Sequence, residues 1–288
     1  MIFVTIFCLF VGINQVVLSE EIDDSIIYIN KSGIGSFTTI QDGIDTANSG
    51  DTIFVFNGTY FENVVIDKKI ILIGENKSNT IIDGRVAGNA IKVNADRVTI
   101  KNLTIQHSGL VYPNSGINLS SNYNIIENNI ITDNFYGMTL YFSLGNIIRG
   151  NTIQNDDHCG IYISNSRDNS ILNNTIQNNN FNGVGLYYTS DNNIIQGNTF
   201  INNGFCGVNI RVSSENEVID NNFSDNNIGI HLPNFPNTAT NNTFSDNNID
   251  IDRIFVLSET ESILIFGFVI FVGLIGIVFY RYIRKREK

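Results

Sequence analysis

Tryptophan is absent from the sequence, proline occurs three times, methionine twice and cysteine three times. Three cysteines, Cys8, Cys159 and Cys206, cannot staple a disulfide scaffold, so packing and hydrogen bonds must hold the fold. So few prolines exclude a proline-rich linker. Bases are also short: 17 Lys and Arg stand against 28 Asp and Glu, a net charge of −11. The last eight residues carry five bases against Glu287, a net of +4, so the remainder carries −15. Such a body offers no clustered cations to a phosphate backbone, and no nucleic-acid partner is expected.

Long apolar runs occur only at the ends. Residues 1–19 are apolar and end in small residues, with Val17 and Ser19 placed for cleavage before Glu20, which reads as a signal peptide. Residues 263–280 hold no charge. At about 1.5 Å per residue a helix of that length spans about 27 Å, near the thickness of a bilayer core. The basic residues 281–288 follow at once, and positive residues stay in the cytoplasm. The expected layout is a signal peptide (1–19), an extracytoplasmic body (20–254), a short linker (255–262), a transmembrane helix (263–280) and a basic cytoplasmic tail (281–288). The membrane is thus an expected partner, through a single-pass anchor.

The body is rich in Ile and Asn, and the two recur in register, which argues against low-complexity disorder. Similar segments open at Asn124, Asn146, Asn169, Asn193, Asn216 and Asn237, at intervals of 22, 23, 24, 23 and 21. After each of the first five comes a Gly-led strand, at Gly137, Gly160, Gly183, Gly207 and Gly229. The sixth is degraded, as a terminal repeat should be. Strands this short are stable only when equivalent strands stack, about 4.8 Å apart, into parallel sheets. The expected fold is all-β: a single-stranded right-handed parallel β-helix with coils of about 23 residues. Met138/Leu140, Ile161/Ile163, Val184/Leu186, Val208/Ile210 and Ile230/Leu232 should form apolar ladders inside. Asn129, Asn151, Asn174, Asn198, Asn221 and Asn242 share one turn position and should form an asparagine ladder. Residues 37–47 show the one helical pattern of the body. Thr38 and Gln41 fit a capping box, and the helix should cover the open N-terminal end.

Residues 36–84 resemble the opening of the pectin-lyase-like superfamily. The resemblance is carried by Thr39-Ile-Gln41, Ser49-Gly-Asp51, Gly58-Thr-Tyr60, Glu62-Asn63, Gly74 and Ile82-Asp-Gly84. It is closest to NosD-like and carbohydrate-binding or sugar-hydrolysis β-helix domains, and the repeats from Asn124 onward resemble the same family. Such motifs are specific for fold and weak for activity.

The resemblance implies that hydrolysis would use aspartates on adjacent coils with a His and an Arg nearby. The candidates are Asp133, Asp156, Asp157, His158 and Arg211. Asp133 and Asp156 each lie four residues before a repeat Gly and should stack, but Asn179 and Asn203 follow at that position and the hydrolases' His-containing motif is missing. A binding face fits better. Tyr141, Tyr162 and Tyr187 should project outward beside Asn209 and Arg211, offering rings to sugar C–H faces and polar groups to hydroxyls. NosD-like proteins are associated with copper-enzyme maturation, which draws attention to His107, Met138, His158, Cys159, Cys206 and His231. Cys159 and Cys206 share a position two coils apart, roughly 9–10 Å, too far for a disulfide or a comfortable shared metal. Neither a metal site nor a cofactor is expected. Eight Asn-x-Ser/Thr sequons occur, at Asn30, Asn57, Asn76, Asn102, Asn118, Asn173, Asn222 and Asn241.

Together these point to a membrane-anchored cell-surface β-helix that binds glycans or contributes to the envelope. The alternatives are a membrane-tethered polysaccharide lyase or hydrolase and a NosD-like accessory factor.

Overall fold

A computed structural model describes residues 25–33, 37–233 and 236–254. The expected signal peptide, linker, transmembrane helix and basic tail lie outside the described residues. No helix among the described residues is long and apolar enough to cross a membrane.

The chain is an all-β parallel solenoid of the right-handed β-helix type. Its strands stack into three parallel sheets of ten, nine and nine strands, here A, B and C. Each coil contributes one short strand to each sheet. In one coil these are Ile147–Arg149 in A, Thr152–Gln154 in B and Ile161–Ser164 in C. Segments such as residues 124–132 are therefore two strands separated by a corner, Ile125–Glu127 and Ile130–Thr132. The expected apolar ladders form in the predicted register: Met138 pairs with Ile161, Ile161 with Val184 and Val184 with Val208, all fully buried.

The corners explain the asparagine content. The residue leaving sheet A sits in the left-handed region, as at Asn128 (φ 53°) and Asn173 (φ 53°), which Asn tolerates. The next residue is a ladder Asn with its side chain turned inward. Backbone N–H and Nδ2 of Asn151 both donate to Oδ1 of Asn174 (2.9 and 3.0 Å), and Nδ2 also donates to the Ile126 carbonyl (2.8 Å). Corners otherwise strand buried peptide groups, and one Asn per coil satisfies two of them, a backbone N–H through Oδ1 and a carbonyl through Nδ2. The expected ladder is present, and two more flank it. Asn124, Asn146, Asn169, Asn193, Asn216 and Asn237 link up before sheet A. Asn134, Asp156, Asn179, Asn203, Asn226 and Asn247 link up between B and C.

The N-terminal end is covered as expected, by the helix Ile40–Thr46. Its capping differs from the sequence reading. The N-cap is Thr39, whose hydroxyl accepts from the Asp42 N–H (3.3 Å). Gln41 instead clamps the first strand of sheet C. Its Oε1 accepts from Val65 N (2.8 Å) and its Nε2 donates to Val65 O (3.2 Å), closing an edge that would otherwise stay unpaired. The Glu62 carboxylate accepts from Ile40 N and Gln41 N (2.9 and 3.0 Å), placing negative charge at the positive end of the helix. Glu62→Ala is therefore expected to cost about 1–2 kcal/mol. Faster hydrogen exchange confined to the helix and its neighbouring strands would show it, and unchanged exchange would refute this role. A further strand, Ile26–Ile29, precedes the helix and extends sheet A.

Candidate functional site

Outward residues of sheet C alternate with the core ladders, so their register follows from the strand pairing. Thr139 pairs with Tyr162, Tyr162 with Gly185, Gly185 with Asn209 and Asn209 with His231. One step along the strands, Tyr141 pairs with Ser164, Ser164 with Tyr187 and Tyr187 with Arg211.

The tyrosines form a layer over this face. Tyr162 and Tyr187 stack with centroids 4.9 Å apart and planes inclined by 22°. Tyr136 and Tyr141 pack on Tyr162 from the preceding coil, at 5.2 and 5.8 Å. Tyr112, from the insert before strand Ser115–Leu119, reaches Tyr136 at 6.3 Å. Gly185 makes the layer possible. A Cβ there would stand 2.5 Å from Tyr187 Cε2, so the missing side chain lets the Tyr187 ring lie flat on the sheet. The far end of that ring is anchored, because Asn182 Nδ2 donates to Tyr187 Oη (2.9 Å). Burial pushes the Tyr162 hydroxyl up to about 12 and those of Tyr136, Tyr141 and Tyr187 well above the usual phenol value. The rings are thus neutral at physiological pH.

Aromatic and apolar side chains also line both borders. Phe135, His158, Phe181 and Phe205 stack along the B–C corner, with successive centroids 5.8, 4.7 and 5.2 Å apart. At the opposite corner Phe142 is 78% exposed, Tyr188 60% and Val212 62%, each in the left-handed region. That conformation is costly for a β-branched residue such as Val212.

Of the expected ligand contacts, Tyr141, Tyr162 and Tyr187 come together and Arg211 stands exposed beside them. Asn209 is a correction. It points to the outer face but is only 1% exposed, with Nδ2 donating to Asn182 Oδ1 (3.5 Å), so it lies under the ring layer. The sequence reading missed Tyr136, Tyr112 and Asn182. Tyr136 precedes a repeat Gly, a position that alternation places at a corner, and Tyr112 sits in an insert with no copy in other coils.

The catalytic candidates do not converge. Asp133 and Asp156 are not equivalent, contrary to the spacing argument. Asp133 occupies the left-handed corner position (φ 57°), in line with Asn155, whereas Asp156 replaces a ladder Asn and pairs with Asn134. The corner before Gly137 is one residue shorter than the one before Gly160, which hides the offset. Asp156 is fully buried, and burial raises its carboxyl well above the carboxylate range. Asp133 and Asp157 are exposed on the corner. His158 is half-buried in the aromatic stack, which lowers its pKa, and its Nδ1 lies 3.2 Å from Cys159 Sγ. Arg211 stands two coils beyond Ser164 on sheet C.

The model of the family described as periplasmic copper-binding protein (NosD) matches residues 44–208 and 182–253. The chain belongs to the NosD family. Its fold is shared with solved polysaccharide-active proteins. Pectate lyase Pel9A superposes with a TM-score of 0.57 at 14% identity, covering 81% of this chain and 78% of that one. The catalytic domain of a GH87 α-1,3-glucanase in complex with nigerose gives 0.57 at 15% identity, covering 80% and 44%. At these identities the likeness is one of fold. A stretch of 82 residues is 34% identical to probable pectinesterase/pectinesterase inhibitor 41 of Arabidopsis thaliana. It takes in 25% of this chain, which spans only 13% of that relative's length.

The copper in the family description finds no fitting ligand set here. The sequence has three histidines, and no two lie on the same or neighbouring coils: His107 follows the sheet B strand Thr104–Gln106, His158 lies two coils further on and His231 three coils beyond that. Cys159 and Cys206 are free, as expected, and fully buried, with burial pushing both thiols up to about 12, so the thiolate that a soft metal needs is disfavoured. Met138 is inside the core. Among the described residues no group of three or more His, Cys, Asp or Glu side chains is placed to hold a metal.

Proposed function

We propose that the tyrosine layer on sheet C is a glycan-binding face. On this reading the chain is a non-catalytic, membrane-anchored cell-surface protein whose body lies outside the cytoplasm. The observation that carries it is the stacked pair Tyr162 and Tyr187, backed by the buried Tyr136, with Tyr187 flattened over Gly185 and tethered by Asn182. Rigid neutral rings suit the C–H faces of sugars, and the exposed Arg211 guanidinium supplies donors at the edge. Pectate lyase and α-1,3-glucanase act through the same fold, which supports a polysaccharide ligand. Against catalysis stands Asp156, which is walled in where neither a glycosidic oxygen nor a water reaches it.

On a glycan array the full chain should retain polysaccharide, and Tyr162→Ala with Tyr187→Ala should weaken the best hit by about tenfold or more. Gly185→Ala should have the same direction by lifting Tyr187 while leaving both rings in the sequence. Unchanged retention by either folded variant would refute the assignment.

A further inference from the structure

The sequons do not fall at random on the solenoid. Asn30, Asn57, Asn76, Asn102, Asn173 and Asn241 all follow the end of a sheet A strand, and Asn222 opens a sheet B strand. Only Asn118 lies on sheet C, and it is 7% exposed with Nδ2 donating to Thr139 Oγ1 (2.8 Å). A glycan needs that Nδ2 and room outside it. Asn57, Asn76, Asn173, Asn222 and Asn241 are exposed.

We propose that the A–B corner is a modification surface, N-glycosylated along its length, leaving the tyrosine face on sheet C bare. This rests on the extracytoplasmic placement of the body. Asn173 shows the geometry best. It is exposed in a left-handed turn, and in the same column the next coil carries Gly197, which removes the side chain that would crowd it. Asn173 Oδ1 lies over Gly197, where a Cβ would stand at 2.4 Å, and its amide borders a shallow groove of about 370 Å³ lined by Leu172, Gln196, Gly197 and Asp220. The sequon hydroxyl, Thr175, is half-exposed at the start of the sheet B strand Thr175–Gln177.

The repeat supplies the motif by its own logic. The left-handed position favours Asn, the ladder position demands Asn, and the outward first residue of sheet B is often Thr. Coils with Gly at the first position lack the acceptor, so sequons are spaced rather than continuous. In the transfer the Asn Nδ2 forms a bond to the anomeric carbon of a lipid-linked glycosyl diphosphate. The bond from that carbon to the diphosphate oxygen breaks, the lipid diphosphate leaves with the electron pair, and the amide loses one proton to a base on the transferase.

The full chain, expressed in a secretory host that N-glycosylates, is released from its glycans enzymatically in heavy-oxygen water and its peptides are weighed. Mass-tagged Asp should appear at Asn173 and at other exposed corner sequons, and not at Asn118. Thr175→Ala should remove one glycan step from the gel mobility, and Ser120→Ala none. Protease digestion of intact cells reads placement separately. An accessible body with an unmodified corner, or a modified Asn118, overturns the proposal alone. A protected body overturns it together with the placement on which it rests.

Discussion

Replacing Asn174 with alanine is expected to lower the stability of the body by about 3–5 kcal/mol. The size follows from what one side chain does. Oδ1 of Asn174 accepts from backbone N–H and Nδ2 of Asn151, and its own Nδ2 donates to the Ile148 carbonyl (2.9 Å) and to Oδ1 of Asn198 (3.0 Å). Alanine leaves the Asn151 N–H without its partner in the dry interior and takes one bond each from the Ile148 carbonyl and from the Asn151 amide, which keeps only the Ile126 carbonyl, and each buried unsatisfied group costs about 1–3 kcal/mol. Water does not restore them, because Asn174 is 1% exposed and closely packed. Relaxation of the corner keeps the sum below the arithmetic maximum. The loss is also central, because the ladder continues unbroken on both sides and a solenoid holds each coil only through its neighbours. Asn173→Gly, one residue away on the exposed left-handed position that Gly150 and Gly197 hold in the neighbouring coils, removes no hydrogen bond of its side chain and serves as the control. Urea denaturation of the two variants checks the contrast. Equal midpoints would mean that the ladder does not stabilise the fold.

The ladders also show how much of the fold was legible. Coil period, inward ladders and one Asn rung could be read because each repeats in the sequence with a fixed spacing. The other two rungs were visible as spacing, but Asn124 and its equivalents read as strand openings, since alternation says nothing of which residue turns into a corner. Where a corner changes length by one residue the register is lost, and Asp133 was paired with Asp156 for that reason. Non-local contacts left no trace. Glu62 caps a helix 21–22 residues upstream, and no local motif announces it. On sheet C the alternation placed Asn209 outside correctly. It could not show that Tyr187 folds back over Gly185 and that Asn209 ends up covered, because that depends on one side chain crossing from the neighbouring row.

The corner that misled the register carries the second large effect. Asp156→Asn is expected to raise stability at pH 8 by about 2–3 kcal/mol and to flatten its pH dependence. Asp156 stands in a ladder built for asparagine. Its Oδ1 accepts from Asn134 N (3.0 Å), as an Asn would, but its Oδ2 is buried without a partner. In the coils beyond, the Nδ2 at that place donates twice. Nδ2 of Asn203 reaches the Ile176 carbonyl (3.1 Å) and Oδ1 of Asn226 (3.0 Å). An ionised Oδ2 would face acceptors where a donor belongs, and a protonated Oδ2 can supply one of the two bonds. Burial favours that proton first, and the nearby charges of Asp133 and Asp157 add to it, so the folded carboxyl titrates well above the ordinary aspartate value. The unfolded aspartate titrates near 3.9. Above that pH the folded state holds a proton that the unfolded chain has released, so stability falls as pH rises toward the folded value, by at most about 1.4 kcal/mol per unit. Asparagine has no proton to lose and restores both donations. Asp157→Asn, on the exposed side of the same corner, should leave the pH slope intact. Denaturation midpoints at pH 5 and pH 8 separate the cases. A wild-type chain equally stable at both, or an Asp156→Asn chain no more stable at pH 8, would show that Asp156 is ionised and partnered within the ladder.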